Sequence, residues 1–210
     1  MSDQILLPKG AGLTIYEAEA TVRRYLIDQA AAVELYDRTN PGPHDEVTPT
    51  DLLALNALNA FVRTAPMEPM AALWSRRSAI HDLIRRVGLT HADVTSLNDD
   101  EVGSEIDKIS QVLALIEVTP GWGGGGTRTA KLLHRLRPGL VPIWDELVGE
   151  WYGGPAQPWP EYLQAVFTDV RRPATKAALS AIQGRCCPFL TALRVWDVLL
   201  WKTRYDAGRR

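Results

Sequence analysis

Cysteine is scarce in this sequence, and long hydrophobic runs are missing. The chain has 210 residues and only two cysteines, Cys186 and Cys187, which are adjacent and cannot build a disulfide framework. No Cys or His cluster has the spacing of metal ligands, so we expect free thiols, no metal and no cofactor. No apolar run approaches the roughly 20 residues that a membrane span needs, and the N-terminus lacks the basic start of a signal peptide. These absences predict a cytoplasmic globular chain without a membrane partner.

Period-two alternation and internal repeats are also lacking, which leaves helices as the expected structure. Helix start signals are clear at Thr14 with Glu17, and at Thr48-Pro49-Thr50-Asp51. The predicted helices cover about 15–30, from 49 onward, 69–87, 99–117, 128–137 and 144–151, with three more to about 205. We predict an all-α fold, a multi-helix orthogonal bundle in which residues 1–210 form a single compact domain with an acidic part (1–117) and a basic part (118–210).

The formal net charge of −2 hides a strong segregation of charge along the chain. Residues 1–120 contain 10 Lys and Arg against 18 Asp and Glu, whereas residues 121–210 contain 13 against 7. Such asymmetry indicates an anionic partner for the basic part. The alternative is that the basic helices face water or pair with the acidic part. Because the total charge is nearly neutral, binding must come from a local basic face.

A glycine-rich loop precedes one of the basic helices. Four consecutive glycines, residues 123–126, let backbone N–H groups approach a ligand, and the N-terminus of the following helix favours an anion such as phosphate. Three cations follow at helical spacing on one face, and no acidic residue interrupts 118–144. The predicted phosphate contacts are Gly123, Gly124, Gly126, Thr127, Arg128, Lys131 and Arg135. The alternative is that the glycines only permit two helices to pack closely.

Nucleotide binding is a weaker alternative for the same loop. Gly121, Gly123 and Gly126 satisfy the pattern G-x-G-x-x-G, and Asp145 follows about 20 residues later. That motif requires a preceding strand, whereas residues 99–117 have helical periodicity. A P-loop would require lysine where Thr127 stands.

Residues 118–133 (VTPGWGGGGTRTAKLL) and 141–148 (VPIWDELV) resemble the helix-hairpin-helix of the base-excision DNA glycosylase superfamily. In that superfamily a Pro-Gly-x-Gly hairpin precedes a helix with Thr-Ala, and a catalytic Asp opens the next helix. The resemblance implies a glycosylase-like fold, double-stranded DNA as the partner, a role in DNA repair and Asp145 as the catalytic residue. The whole chain also resembles an uncharacterised bacterial family of similar length, which implies no activity.

Departures from the superfamily pattern restrict the chemistry that the resemblance implies. The hairpin carries about three extra residues, and Arg128 stands where bifunctional members have the Schiff-base lysine. Since a guanidinium stays protonated, we expect monofunctional base excision without lyase chemistry. The four-Cys cluster of some members is absent, so no iron–sulfur cluster is expected.

The expected mechanism makes Asp145 stabilise positive charge on the sugar, with Trp122 and Trp144 as a pocket for a flipped base. Each assignment has a structural alternative: Asp145 as a first-turn acid of its helix, and the tryptophans as core residues. The competing function is a non-enzymatic interaction module. In that case the hairpin is only structural, and the acidic part contacts a protein partner.

Overall fold

Helices make up most of the fold, which confirms the all-α class. The structure is a computed structural model that describes residues 4–40, 42–58, 67–122, 125–154 and 157–208. Its helices are α1 (Ile15–Asp28), α2 (Ala30–Ala32), α3 (Pro49–Ala57), α4 (Met67–Val87), α5 (Asp99–Glu117), α6 (Gly126–Leu136), α7 (Glu146–Gly149), α8 (Trp159–Arg171), α9 (Pro173–Cys186) and α10 (Ala192–Ala207). No helix in these ranges is long and apolar enough to cross a lipid bilayer.

Side-chain caps fix the starts of α1 and α3. The Thr14 side chain accepts a hydrogen bond from the backbone N–H of Glu17, and the Glu17 carboxylate accepts one from the backbone of Thr14. The same reciprocal pair joins Thr48 to Asp51. Each cap stabilises its helix by about 1 kcal/mol. Both predicted starts are confirmed, and α5 has the predicted bounds of 99–117.

The helices around the glycine loop differ from prediction at their ends. α6 begins at Gly126, two residues before the predicted start. α7 has only four residues and continues as the 3-10 turn Glu150–Tyr152, whereas the predicted helix included Trp144. The reason is that Asp145 has an extended backbone with φ −142°, so α7 begins after it.

A small sheet precedes α1, and the expectation that the chain has no strand is wrong there. β1 (Gln4–Leu6) and β2 (Gly12–Thr14) pair antiparallel, with Ile5 opposite Leu13. Ile5 is fully buried while its two neighbours in β1 are exposed. Three residues give one alternation of burial, which is too short for a period-two pattern to be recognised in the sequence.

The centre of the fold is formed by α6 and α10. Every residue from Arg128 to Leu136 is buried, and α6 packs against α3 and α5. α10 is buried from Ala192 to Leu200 and packs against α1, α7 and α9. The hydrophobic core around them is continuous and draws on both the acidic and the basic part of the sequence. Charged residues of α6 and α10 are therefore placed inside the protein.

Ion pairs connect the acidic part of the chain to the basic part. The described residues form six pairs between an acid of the acidic part and a cation of the basic part. Two of these pairs, on α6 and α10, are almost completely buried on both sides. The six pairs are Asp51 with Arg135, Asp45 with Arg137, Asp99 with Arg171, Glu19 with Arg185, Asp37 with Arg194, and Asp28 with Lys202.

Candidate functional site

The three cations of α6 lie inside the protein instead of on an open face. Arg128, Lys131 and Arg135 are 9%, 6% and 0% exposed. They do not form an exposed basic face, and their contact with phosphate stays a prediction. α6 packs against both α3 and α5, so the helix face that looked free in the sequence is covered.

Backbone carbonyl groups accept hydrogen bonds from two of these cations. Arg128 Nη1 donates to the carbonyl oxygen of Trp122 at 2.9 Å, and Lys131 Nζ donates to that of Leu58 at 2.8 Å. The Tyr36 hydroxyl in turn donates to the carbonyl oxygen of Lys131 at 2.6 Å. These hydrogen bonds connect α6 to the segments that contain Tyr36, Leu58 and Trp122.

Arg135 forms a buried ion pair that joins α6 to α3. Its Nε lies 2.8 Å from Oδ1 of Asp51, and its Nη1 donates to the carbonyl oxygen of Tyr36. Burial raises the pKa of Asp51, but His44 at 3.6 Å and hydrogen bonds from Thr48 and Arg135 outweigh it and hold this pKa well below its usual range. The pair is a structural element of the fold.

Part of the predicted phosphate loop can be placed. Gly123 and Gly124 lie outside the described residues. Gly126 and Thr127 are half-buried at the start of α6. A Cβ atom at Gly126 would lie 2.9 Å from Cζ2 of Trp159, so this glycine is required by close packing against α8. This packing was the alternative explanation for the glycine loop.

The two tryptophans predicted to form a pocket occupy other places. Trp122 is fully buried, and its indole N–H donates to Oγ1 of Thr129 at 3.2 Å. Trp144 is half-buried and meets the ring of Trp159 edge-on at 6.5 Å between centroids. Neither belongs to the lining of the cleft at Asp145. The aromatic residues in that lining are Tyr25 and Trp201.

Asp145 lines a cleft of about 200 Å³ between α1, α6, α7 and α10. This volume is below the roughly 300–1,000 Å³ of sites for drug-sized ligands, so it suits a group of the size of one nucleobase or sugar. The apolar lining includes Val148 and Trp201. The polar lining consists of Tyr25, Gln29, Lys131, Asp145, Arg194 and Asp197.

The side chain of Asp145 both caps a helix and belongs to the cleft. Its Oδ1 accepts a hydrogen bond from the backbone N–H of Val148 at 2.9 Å, which fixes the start of α7. The residue is half-buried. The two roles that the sequence left open for Asp145 are therefore compatible in one side-chain position.

Lys131 and Asp197 give the cleft unusual electrostatics. Burial lowers the pKa of Lys131 to about 8, against the attraction of Asp145. Burial also raises the pKa of Asp197 well above its usual range, although Arg194 and the backbone N–H of Ile143 oppose that shift. The nearby Asp145 carboxylate raises it further. The cleft thus brings the Asp145 side chain together with a second, buried carboxyl group, that of Asp197, whose surroundings favour its neutral form.

The guanidinium group of Arg194 already binds two protein side chains. Its Nε lies 2.7 Å from Oδ1 of Asp37, and its Nη2 donates to the Tyr25 hydroxyl at 2.6 Å. Arg194 and Tyr25 line the cleft, and the network joins α10 to α1 and to the π-helical segment Val33–Arg38.

Comparison with known proteins places the chain in a family. The sequence profile of a family of unknown function, DUF6308, matches residues 18–204. The chain belongs to this family. No curated protein and no solved structure matches it significantly. The predicted resemblance to an uncharacterised family is thereby confirmed, and DUF6308 itself supplies no activity.

Sequence reasoning did not assign Asp197 and Arg194 to the site. The available signal was two charged residues three positions apart in the otherwise apolar stretch 193–201 (LRVWDVLLW). Charged residues in such a stretch are rarely buried without partners. This pattern could have marked both residues as members of a buried polar cluster.

Proposed function

We propose that this chain is a DNA-binding helix-hairpin-helix protein that hydrolyses the N-glycosidic bond of a nucleobase, as a monofunctional base-excision glycosylase does. The resemblance of residues 118–148 suggests the reaction class. One structural observation supports it: Asp145 lines a cleft together with Lys131 and Asp197. A carboxylate confined to helix capping would not need a cleft with two further buried ionisable groups.

The proposed reaction uses the carboxylate of Asp145 to stabilise charge. As the bond between the base and C1′ of the sugar lengthens, positive charge develops on the sugar ring. The Val148 N–H holds Oδ1 of Asp145, so Oδ2 is the oxygen assigned to face this charge and the attacking water. A charge fixed in position before the reaction stabilises the transition state more than water does.

Lys131 interacts with Asp145 in this proposal. It lies on the wall of the same cleft, and its positive charge attracts the carboxylate. Arg128, which stands at the position of the Schiff-base lysine, is held by the carbonyl group of Trp122. The chemistry therefore ends at an abasic site without strand cleavage.

The test compares the wild type with Asp145→Asn on duplex oligonucleotides that carry uracil, an alkylated base or an oxidised base. Asparagine caps a helix as well as aspartate does, so the fold of α7 is kept while the charge is removed. We expect abasic-site formation by the wild type and a rate at least about 100-fold lower for the variant. Glu146→Gln is the matched control, because Glu146 is exposed and adjacent but does not line the cleft.

The internal use of the α6 cations favours a second candidate, a non-enzymatic interaction module. Arg135 and Lys131 bind groups of α3 and its neighbourhood, as expected for a purely structural hairpin. Under this alternative the wild type releases no base from any of these substrates. Equal release by the wild type and Asp145→Asn would remove Asp145 from the mechanism.

A further inference from the structure

Asp197 is a deeply buried carboxyl group that is only half satisfied. It is 2% exposed, on the wall of the cleft that contains Asp145. Its Oδ2 accepts a hydrogen bond from the backbone N–H of Ile143 at 3.0 Å. The other oxygen, Oδ1, is buried and has no hydrogen-bond partner among the described residues. A buried polar atom without a partner is costly, so its retention on a cleft wall indicates a ligand.

The surroundings of Asp197 favour its neutral form. The guanidinium of Arg194, which attracts Asp197, is engaged by Asp37 and by the Tyr25 hydroxyl. Among the described residues, the charged or titratable groups around Asp197 are Tyr25 of α1, Tyr36 and Asp37 of the π-helical segment, Lys131 of α6, Asp145 before α7, Tyr152 of the 3-10 turn, Tyr162 of α8 and Arg194 of α10. Two of these are carboxylates that repel a second negative charge.

The position of the acidic proton follows from the hydrogen bond to Ile143. Because Oδ2 accepts the Ile143 N–H, it keeps its lone pairs for that bond, and the proton resides on Oδ1. The Tyr162 hydroxyl donates to the carbonyl oxygen of Ile143 at 3.0 Å and holds that peptide group in place. Oδ1 is therefore a hydrogen-bond donor for which no described residue supplies an acceptor.

We infer that Asp197 is the proton donor to the departing base, an assignment that rests on the proposed glycosylase function. The bond between C1′ and the base nitrogen breaks with its electron pair going to the base, and the Oδ1 proton moves to the base. Water then forms the new bond to C1′, and Asp145 takes up the proton that this water loses. Transfer of that proton through solvent returns Asp197 to its starting state.

The assignment of Asp197 as the proton donor restricts which bases can be substrates. The base must present an acceptor, a ring nitrogen or a carbonyl oxygen, to the Oδ1 proton. A neutral base leaves as an anion unless it is protonated, so this proton accelerates its departure. A base such as 7-methylguanine carries a positive charge before its bond breaks and leaves without one. The two classes of base therefore depend differently on Asp197 and equally on Asp145.

The test measures single-turnover release of uracil, hypoxanthine and 7-methylguanine from duplex oligonucleotides. Asp197→Asn keeps an acceptor for the Ile143 N–H and removes only the acidic proton. We expect this variant to release the neutral bases about 10²–10⁴-fold more slowly, and 7-methylguanine less than about tenfold more slowly. Asp145→Asn slows both classes alike. Asp169→Asn is the control, because Asp169 is also a buried carboxyl group with a pKa raised by burial but lies outside the cleft.

Release rates of Asp197→Asn that are unchanged, or equally lowered for both classes, overturn the assignment while the proposed function stands. Absence of release by the wild type overturns both. A second measurement does not depend on activity: the infrared difference spectrum between the wild type and Asp197→Asn at pH 7. We expect the carbonyl band of a protonated carboxylic acid, and a carboxylate band in its place contradicts the proposal.

Discussion

Arg135 carries a positive charge that solvent does not reach. Its side chain is fully buried, and it is paired with Asp51. From the sequence, its spacing with Arg128 and Lys131 predicted a shared face, and the helical spacing is correct. What the spacing could not show is that α3 covers this face, because the partner Asp51 lies 84 residues earlier in the chain. Pairing over such a separation leaves no local sequence signal.

Removal of the Asp51 charge tests the structural role of this pair. Asp51→Asn leaves a buried guanidinium without its counter-charge, so we expect the free energy of unfolding to fall by about 3–5 kcal/mol. Urea denaturation monitored by tryptophan fluorescence measures it. Asp99→Asn breaks the exposed pair with Arg171 and should change stability little. Similar losses in both variants would contradict the structural role.

The same pair predicts a dependence of stability on pH. Because the pKa of Asp51 is lowered in the folded protein, its contribution is fully present above its unfolded pKa of about 3.9. The contribution is lost as pH falls further through the folded pKa. The stability difference between the wild type and Asp51→Asn should therefore be constant from pH 7 to 5 and should shrink below pH 4.

At the scale of elements, the helices that could be predicted were mainly those with capping residues at their N-termini. Capping residues and first-turn prolines act within four residues, so α1, α3 and α5 were predictable from local sequence. The burial of the cationic residues of α6 was not predictable. Its amphipathic pattern predicted one buried face, but long cationic side chains also become buried when carbonyl groups and a carboxylate lie within reach.

The accessible part of the predicted phosphate site is the start of α6, and Thr127 tests it. Thr127→Glu places a negative charge where the phosphate is proposed to bind, while the helix dipole tolerates that charge. We expect affinity for a DNA duplex at low salt to fall by about 3- to 10-fold with no loss of stability. Ala174→Glu is the matched control, because Ala174 is exposed at the same second position of α9. Equal affinities in a fluorescence anisotropy titration would contradict phosphate binding at α6.

At the scale of the whole molecule, the segregation of charge has an internal explanation. In the part of the chain that the structure describes, six ion pairs join acids of the first part to cations of the second. Pairing with the acidic part was one of the two alternatives that the sequence left open, and these pairs account for much of the asymmetry without an anionic partner. The case for function therefore depends on the cleft and not on net charge.

The cleft itself was only partly predictable from the sequence. Asp145 stands at a motif position, so the resemblance could select it. Asp197 lies 52 positions later, on a helix whose place in the cleft depends on the packing of α10 against α1 and α7. Local patterns contain no information about which distant helices meet. The second carboxyl group became evident only from the fold.

The central claim is that Asp145 stabilises positive charge on the sugar of a substrate held in this cleft. The most direct test compares binding of two duplexes, one with a cationic pyrrolidine abasic analogue and one with a neutral tetrahydrofuran abasic site. The account predicts that the wild type binds the cationic duplex at least about tenfold more tightly, and that Asp145→Asn loses this preference. Equal affinity of the wild type for both duplexes, or an unchanged preference in Asp145→Asn, would contradict it.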